Sequence, residues 1–338
     1  MGGGKKDGGQ NIAMSENDFH VVFLDAFTFG DVSLESFKEK WDCTVHRLTG
    51  PAEVSQRLQG YHAVILNKVV LDKSLLGSPA AKDLKLIAVA ATGTDNVDLE
   101  AARARGIKVC NVPGYAAQSV AQFTMALILE LATRAGRYGE LVRSGAWEKS
   151  PMYTMFDYPT LELAGKKLGI VGYGNIGRRV AEMAQGFGME ALISARPGSQ
   201  GPIPKGRLPL DEVLSRADIV SLHCPLTPQT KSLIDGRALA LMKSSAFLIN
   251  TARGALIEAE ALIRALRERR LAGAAMDVLT QEPPPADHPI IKAAKELDNL
   301  LVTPHCAWTA REARQRLMDE VVENILAFTK GRDRNRVA

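Results

Sequence analysis

Lys167-Leu-Gly-Ile-Val171 runs directly into Gly172-Tyr-Gly174-Asn-Ile-Gly177. An apolar β-type run thus meets a glycine-spaced turn. Beyond it, Ile176, Val180, Met183 and Phe187 recur at helical spacing on one face. Strand, G-x-G-x-x-G and helix, in that order, is the context a dinucleotide site requires. The first glycine permits the tight turn, the second lets backbone approach a pyrophosphate, and the third lets helix pack on strand. The free N–H groups and positive dipole end of the helix then face the phosphates. Glycine spacing alone also occurs in a merely tight strand–helix turn; the flanking strand and helix favour the nucleotide. Gly172, Gly174, Asn175, Ile176 and Gly177 are therefore candidate cofactor contacts.

At 338 residues the chain is long enough for two domains with substantial cores. It is 46% hydrophobic and 24% charged, which fits a globular protein rather than a disordered or membrane-spanning one. The net charge of +4 is small, and Lys5 and Lys6 lie in the N-terminal tail, so there is no electrostatic case for nucleic acid. Cys43, Cys110, Cys224 and Cys306 show no C-x-x-C spacing. They read as reduced thiols of a cytoplasmic chain, with neither a disulfide framework nor a metal site. The first 18 residues are rich in Gly, Lys and Asn and lack the apolar core of a signal peptide, so they are expected to be disordered. The most apolar run, Phe123 to Leu129, is far too short to span a membrane.

Strands are expected at 20–24, 43–48, 63–66 and 86–90, with helices at 33–41 and 51–59. Strands alternating with helical patterns imply a parallel, doubly wound sheet. This first unit has no glycine fingerprint. It has Ala91-Thr-Gly-Thr-Asp-Asn96 after an apolar run, where Thr92 and Gly93 could offer backbone N–H groups to an anion. A plain turn capped by Asp95 or Asn96 accounts for the same residues equally well. Asn111-Val-Pro-Gly114 reads as a crossing between domains. A long apolar helix is expected at 119–133, covered by the second domain or by a partner subunit. The irregular stretch 145–163 carries Trp147, Tyr153, Phe156 and Tyr158, which suits either an interface or a loop packed on its own domain. After the glycine stretch, strands are expected at 190–194, 219–223, 247–250, 274–278 and 300–303, with helices at 259–270 and 311–329.

Arg253, Glu282 and His305 fall just past the expected ends of three of these strands. Each has a bland reading alone: a surface arginine, a loop carboxylate, a satisfied core histidine. Open α/β sheets, however, bind ligands beyond the carboxyl ends of their strands. Together the three meet the needs of interconverting a 2-keto and a 2-hydroxy acid. Histidine exchanges a proton near neutral pH. A neighbouring carboxylate favours the imidazolium, and arginine offers a planar fork to a substrate carboxylate. The hydride would come from a nicotinamide.

Asn250-Thr-Ala-Arg-Gly254, Ala275-Met-Asp-Val278, Gln281-Glu-Pro-Pro-Pro285 and Thr303-Pro-His-Cys-Ala-Trp308 resemble the signature blocks of the D-2-hydroxyacid dehydrogenases. Asn111-Val-Pro-Gly-Tyr115, Asp157-Tyr-Pro159 and Ala307-Trp308 are most similar to the glycerate dehydrogenase / hydroxypyruvate (glyoxylate) reductase branch. The resemblance implies an α/β fold of two doubly wound parallel-sheet domains, Rossmann- and flavodoxin-like, with an interdomain active-site cleft. The substrate domain would be discontinuous, 19–112 plus 306–332, and the dinucleotide domain would span 113–305. It implies Arg253, Glu282 and His305 as the catalytic set, with Lys68, Thr92, Gly93 and Trp308 near the substrate. Thr251, Ala252, Asp277 and Ala307 would lie near the nicotinamide, and Cys224, Pro225 and Thr230 on the adenosine side. It also implies a homodimer built through the long helix and the aromatic loop.

One position departs from the NAD-type pattern, which ends the second Rossmann strand in Asp or Glu to hold the ribose 2′-hydroxyl. Ala195 stands there, between Ser194 and Arg196. No acid repels a 2′-phosphate, and Ser194 and Arg196 could bind one, so NADP(H) is favoured over NAD(H). The expected activity is reversible, NAD(P)H-dependent reduction of hydroxypyruvate or glyoxylate. The alternatives are another 2-keto acid reductase or a nucleotide-sensing, corepressor-like binding protein on the same fold.

Overall fold

Four-residue runs such as Ala63–Leu66 and Leu86–Val89 are buried at every position. Continuous apolar strands of this kind belong to parallel sheets covered on both faces. The computed structural model describes residues 18–199 and 201–338; most of the tail expected to be disordered lies outside them. The chain divides into two units, one running up to Tyr115 and resuming at Ala310–Ala338, the other Ala116–Thr309. The crossings thus fall a few residues beyond those expected at 112 and 305, and the first unit takes the chain to its last residue.

In the first unit the strands are β1 (His20–Phe23), β2 (Asp42–Val45), β3 (Ala63–Leu66), β4 (Leu86–Val89) and β5 (Lys108–Cys110), all parallel in the order β2-β1-β3-β4-β5. The order reverses between β1 and β3, the switch point where such sheets bind ligands. The helix expected at 33–41 is only Glu35–Lys38. The turn after β4 leads to the helix Leu99–Ala104, capped by the Asp98 carboxylate on the Ala101 amide at 2.9 Å. Neither Asp95 nor Asn96 is the cap. The Asn96 amide instead donates to the Asn67 and Val69 carbonyls.

In the second unit β6 (Lys167–Val171), β7 (Glu190–Ile193), β8 (Ile219–Leu222), β9 (Phe247–Asn250), β10 (Gly273–Met276) and β11 (Leu300–Val302) form a parallel sheet in the order β11-β10-β9-β8-β6-β7. Its switch point lies between β6 and β8. The helix Ala117–Thr133 buries Met125, Leu127, Ile128 and Leu131 against the unit's own core, so the sheet and the helix Asn175–Gln185 supply much of its cover. Among the described residues no helix is long and apolar enough to cross a membrane.

Candidate active site

The glycine turn sits at the carboxyl end of β6, beside the switch point. Gly172 has φ 97° and a Cβ there would lie 2.5 Å from the Cys224 amide nitrogen, so the turn requires glycine. A Cβ on Gly177 would lie 2.1 Å from the Gly172 carbonyl oxygen, which is the close helix–strand approach expected of the third glycine. Gly174, the N-cap of the helix Asn175–Gln185, would point a Cβ into open space. The protein itself does not demand glycine at that position, whereas a pyrophosphate approaching the helix N-terminus does. This cradle fits a dinucleotide.

The loop after β8 is shaped by Thr230, whose hydroxyl donates to the Pro225 carbonyl at 2.7 Å and accepts from the Thr227 amide at 2.7 Å. Cys224 is buried and its thiol is pushed up to about 11 by that burial, so it is an inert wall. His223 precedes it and pairs with the Ser221 hydroxyl at 2.9 Å; burial pushes its pKa down to about 3. At the end of β7, Ser194 is buried and its hydroxyl donates to the Ala195 carbonyl at 2.8 Å. The structure thus gives this hydroxyl a partner within the chain instead of presenting it to a ligand. Arg196 is exposed. A second cation, Arg207, which no sequence motif singles out, stacks over Tyr173 of the glycine turn at 4.7 Å and donates to the Ser194 carbonyl at 3.3 Å.

The catalytic candidates stand on three neighbouring loops. After β9, the fully buried Asn250 accepts from the Ala252 amide at 3.0 Å and donates to the Arg253 carbonyl at 2.9 Å. That brace shapes the turn Thr251-Ala252-Arg253. Thr251 is held at 3.1 Å by Thr124 of the long helix, and the Arg253 guanidinium donates to the Ala252 carbonyl at 2.8 Å. Gly254 lies so close to the loop after β10 that a Cβ would be 2.2 Å from the Leu279 carbonyl carbon. The Leu279 amide donates to Glu282 Oε1 at 2.8 Å, and Glu282 Oε2 lies 2.5 Å from His305 Nδ1. The arginine turn is therefore locked against the loop carrying the carboxylate, and the carboxylate grips the histidine.

His305 adopts φ 52°, a left-handed conformation that costs a side chain about 1–3 kcal/mol. Asp277, 1% exposed, holds it there. Its carbonyl accepts from the His305 amide at 2.8 Å. Its carboxylate accepts from the Thr303 hydroxyl at 2.6 Å and from the Cys306 and Ala307 amides, both at 2.9 Å. The Ala307 carbonyl accepts from Ser119 of the long helix at 2.6 Å. So Asp277, expected at the nicotinamide, fixes the turn that presents His305. Asn250 lies inside a motif recognised from sequence, but its bracing role follows from its side-chain contacts.

In the first unit, Lys68 is exposed just after β3. Its loop is pinned by the buried Asp25, which accepts from the Asn67, Lys68 and Val69 amides at 2.6–3.1 Å. Thr92 and Gly93 follow β4, and Thr92 donates its hydroxyl to the Val112 carbonyl at 2.9 Å. Asp25 carries no sequence signal beyond an acid after an apolar run.

Residues 125–307 match the family described as D-isomer specific 2-hydroxyacid dehydrogenase, NAD binding domain. The chain belongs to the D-isomer-specific 2-hydroxyacid dehydrogenases. It is 41% identical to a glycerate dehydrogenase of Methylorubrum extorquens, over 93% of this chain and 98% of that one. It is 35% identical to a hydroxypyruvate reductase of Blautia hydrogenotrophica, over 92% of this chain and 97% of that one. An acyclic imino acid reductase solved with NADPH and D-Arg superimposes with a TM-score of 0.82 at 28% identity, over 95% of this chain and all of that one. This D-2-hydroxyacid dehydrogenase is thus an oxidoreductase with a nicotinamide-nucleotide-binding unit, built on two parallel-sheet α/β domains.

Proposed function

We propose that the enzyme reduces hydroxypyruvate or glyoxylate to the D-2-hydroxy acid, reversibly, with NADP(H) in preference to NAD(H). The observation that carries the reading is the Glu282–His305 pair, locked through Leu279 and Gly254 to the Arg253 turn at the strand ends of a dinucleotide-binding unit. The glycerate dehydrogenase and hydroxypyruvate reductase names of its relatives support the substrate class.

In this reading Arg253 presents its fork to the substrate carboxylate and keto oxygen. Lys68, Thr92, Gly93 and Trp308 complete the substrate contacts. With Nδ1 held by Glu282, His305 gives a proton from Nε2 to the developing alkoxide and takes it back in the reverse direction. Glu282 stabilises the imidazolium and fixes the ring. The nicotinamide supplies the hydride when bound. Gly172, Gly174, Asn175, Ile176 and Gly177 would hold the pyrophosphate. Cys224, Pro225 and Thr230 would line the adenosine, and Thr251, Ala252, Asp277 and Ala307 the nicotinamide. Ala195, with no carboxylate, and the cation Arg196 favour the 2′-phosphate.

The exposed Trp147, Tyr153 and Phe156, at 49%, 86% and 85%, suit burial in a homodimer. Four unbridged cysteines suit the reducing cytoplasm.

The test is turnover: purified protein with hydroxypyruvate, glyoxylate and pyruvate, following loss of NADPH and NADH absorbance. Hydroxypyruvate or glyoxylate with NADPH should give the highest kcat/KM. Tight nucleotide binding without turnover on any keto acid would replace the enzyme reading by a nucleotide-sensing one.

A further inference from the structure

We propose that Arg207 is the specificity-determining residue for the 2′-phosphate of the cofactor, ahead of Arg196. The inference rests on the NADP(H) reading above and names the residue that enforces it.

The segment carrying Arg207 is fixed to the edge of the second sheet. The Leu208 amide donates to the Ile193 carbonyl at 2.9 Å, and the Ala195 amide donates to the Leu208 carbonyl at 2.8 Å. These bonds make a parallel bridge between Ser194 and Leu208, just past the end of β7. Arg207 therefore enters the site from backbone that is held in register with β7.

Its guanidinium is fixed as well. The Cζ atom lies 4.7 Å from the centroid of the Tyr173 ring, within cation–π range. Nη1 donates to the Ser194 carbonyl at 3.3 Å. Tyr173 belongs to the glycine turn, where the pyrophosphate belongs, and Ser194 directly follows the strand that leads to the adenosine ribose. A planar cation held between those two landmarks lies where NADP carries one phosphate more than NAD. Where an acid would repel that phosphate, Ala195 stands. The Ser194 hydroxyl is committed to the Ala195 carbonyl.

The competing cation is Arg196. It is exposed, so it must be ordered when ligand binds. Arg207 is half-buried and already oriented by its ring and carbonyl, so less conformational freedom is lost on pairing with a phosphate. A guanidinium also offers several N–H donors in one plane, so one bond to Ser194 leaves its fork capable of bidentate contact.

The experiment measures binding of 2′,5′-ADP and 5′-ADP by titration calorimetry, without turnover, to wild type, Arg207→Ala and Arg196→Ala. Wild type should bind 2′,5′-ADP more tightly than 5′-ADP. Arg207→Ala should weaken 2′,5′-ADP by about 10- to 100-fold, the worth of a charge-assisted contact, and leave 5′-ADP within about twofold. Arg196→Ala should cost much less. If Arg207→Ala fails to fold, Arg207→Gln, which keeps an aliphatic stem and a polar, uncharged end, gives the same comparison. If wild type does not distinguish the two nucleotides, the NADP(H) reading fails and this proposal with it. If wild type distinguishes them and the Arg207 variants do so equally well, the NADP(H) reading stands and Arg207 is not its determinant. Equal weakening of both nucleotides would likewise overturn the proposal, leaving Arg207 as a brace for Tyr173.

Discussion

Glu282 Oε2 lies 2.5 Å from His305 Nδ1, and the other oxygen of the same carboxylate accepts the Leu279 amide. One carboxylate thus sets both the orientation of the imidazole and the position of its own loop. His305→Ala is expected to lower kcat by ~10²–10⁴, the usual worth of a positioned acid/base. Glu282→Gln, which keeps the hydrogen-bonding shape without the charge, should lower kcat by less and alter its pH profile. A His305→Ala enzyme with near-normal kcat would remove His305 from the mechanism.

Arg253 and lysine are not equivalent at a carboxylate fork. Arg253→Lys should raise KM for the keto acid by about tenfold or more and also lower kcat, with nucleotide affinity unchanged. Calorimetry on the nucleotide alone separates the two effects. A change confined to nucleotide binding would reassign the residue.

Asp277→Ala leaves the Cys306 and Ala307 amides without their carboxylate acceptor. Stranded buried donors cost about 1–3 kcal/mol each. The unfolding midpoint and kcat should therefore fall together, and Asp277→Asn should recover part of both. An unchanged melting curve would show that the 303–307 turn holds its own shape.

The exposed aromatics at Tyr153 and Phe156 carry the dimer prediction. Tyr153→Ser with Phe156→Ser should shift the mass seen by light scattering from dimer to monomer at micromolar concentration. A wild-type protein that is monomeric at the same concentration refutes it directly.

His223 gives a pH dependence of stability. Burial holds its folded pKa near 3, below the ordinary value of 6.5. The unfolded chain therefore takes up the proton first as pH falls. The contribution is fully present above pH 6.5 and is lost progressively between there and about 3. The loss is at most about 1.4 kcal/mol per pH unit, and some accessible surface on the residue keeps it below that ceiling. His223→Gln should flatten the fall of the unfolding midpoint between pH 6.5 and 4. Parallel curves for the two proteins would rule out this histidine as the source.

Most strands were legible because an apolar run in a parallel sheet needs no partner to be recognised. Ala63–Leu66 and Phe247–Asn250 are buried throughout and match their expected bounds. Three other expected strands run one residue too far, because Ser194, His223 and Thr303 are polar residues that leave the ladder to shape loops. The three-residue strand Lys108–Cys110 was missed, since a lone Val between Lys and Cys has no period. The helix Ala135–Arg143 was hidden behind Arg134, whose left-handed φ of 56° breaks the pattern of the preceding helix. Arg253, Glu282 and His305 were legible as titratable or charged residues just past expected strand ends, inside the signature blocks. The braces Asp25 and Asn250 and the cation Arg207 act through contacts with backbone distant in sequence or along a folded turn, which spacing does not reveal.

The missing side chain at Gly254 has a consequence for redesign. With no room for a Cβ against Leu279, the loops after β9 and β10 are keyed together, and Asn250 and Asp277 lock the flanking turns. A library meant to broaden the range of accepted keto acids would leave positions 250, 254 and 277 untouched and diversify Lys68 and Trp308, the proposed substrate contacts. Substrate choice can then drift while the arginine, the carboxylate and the imidazole keep their mutual register.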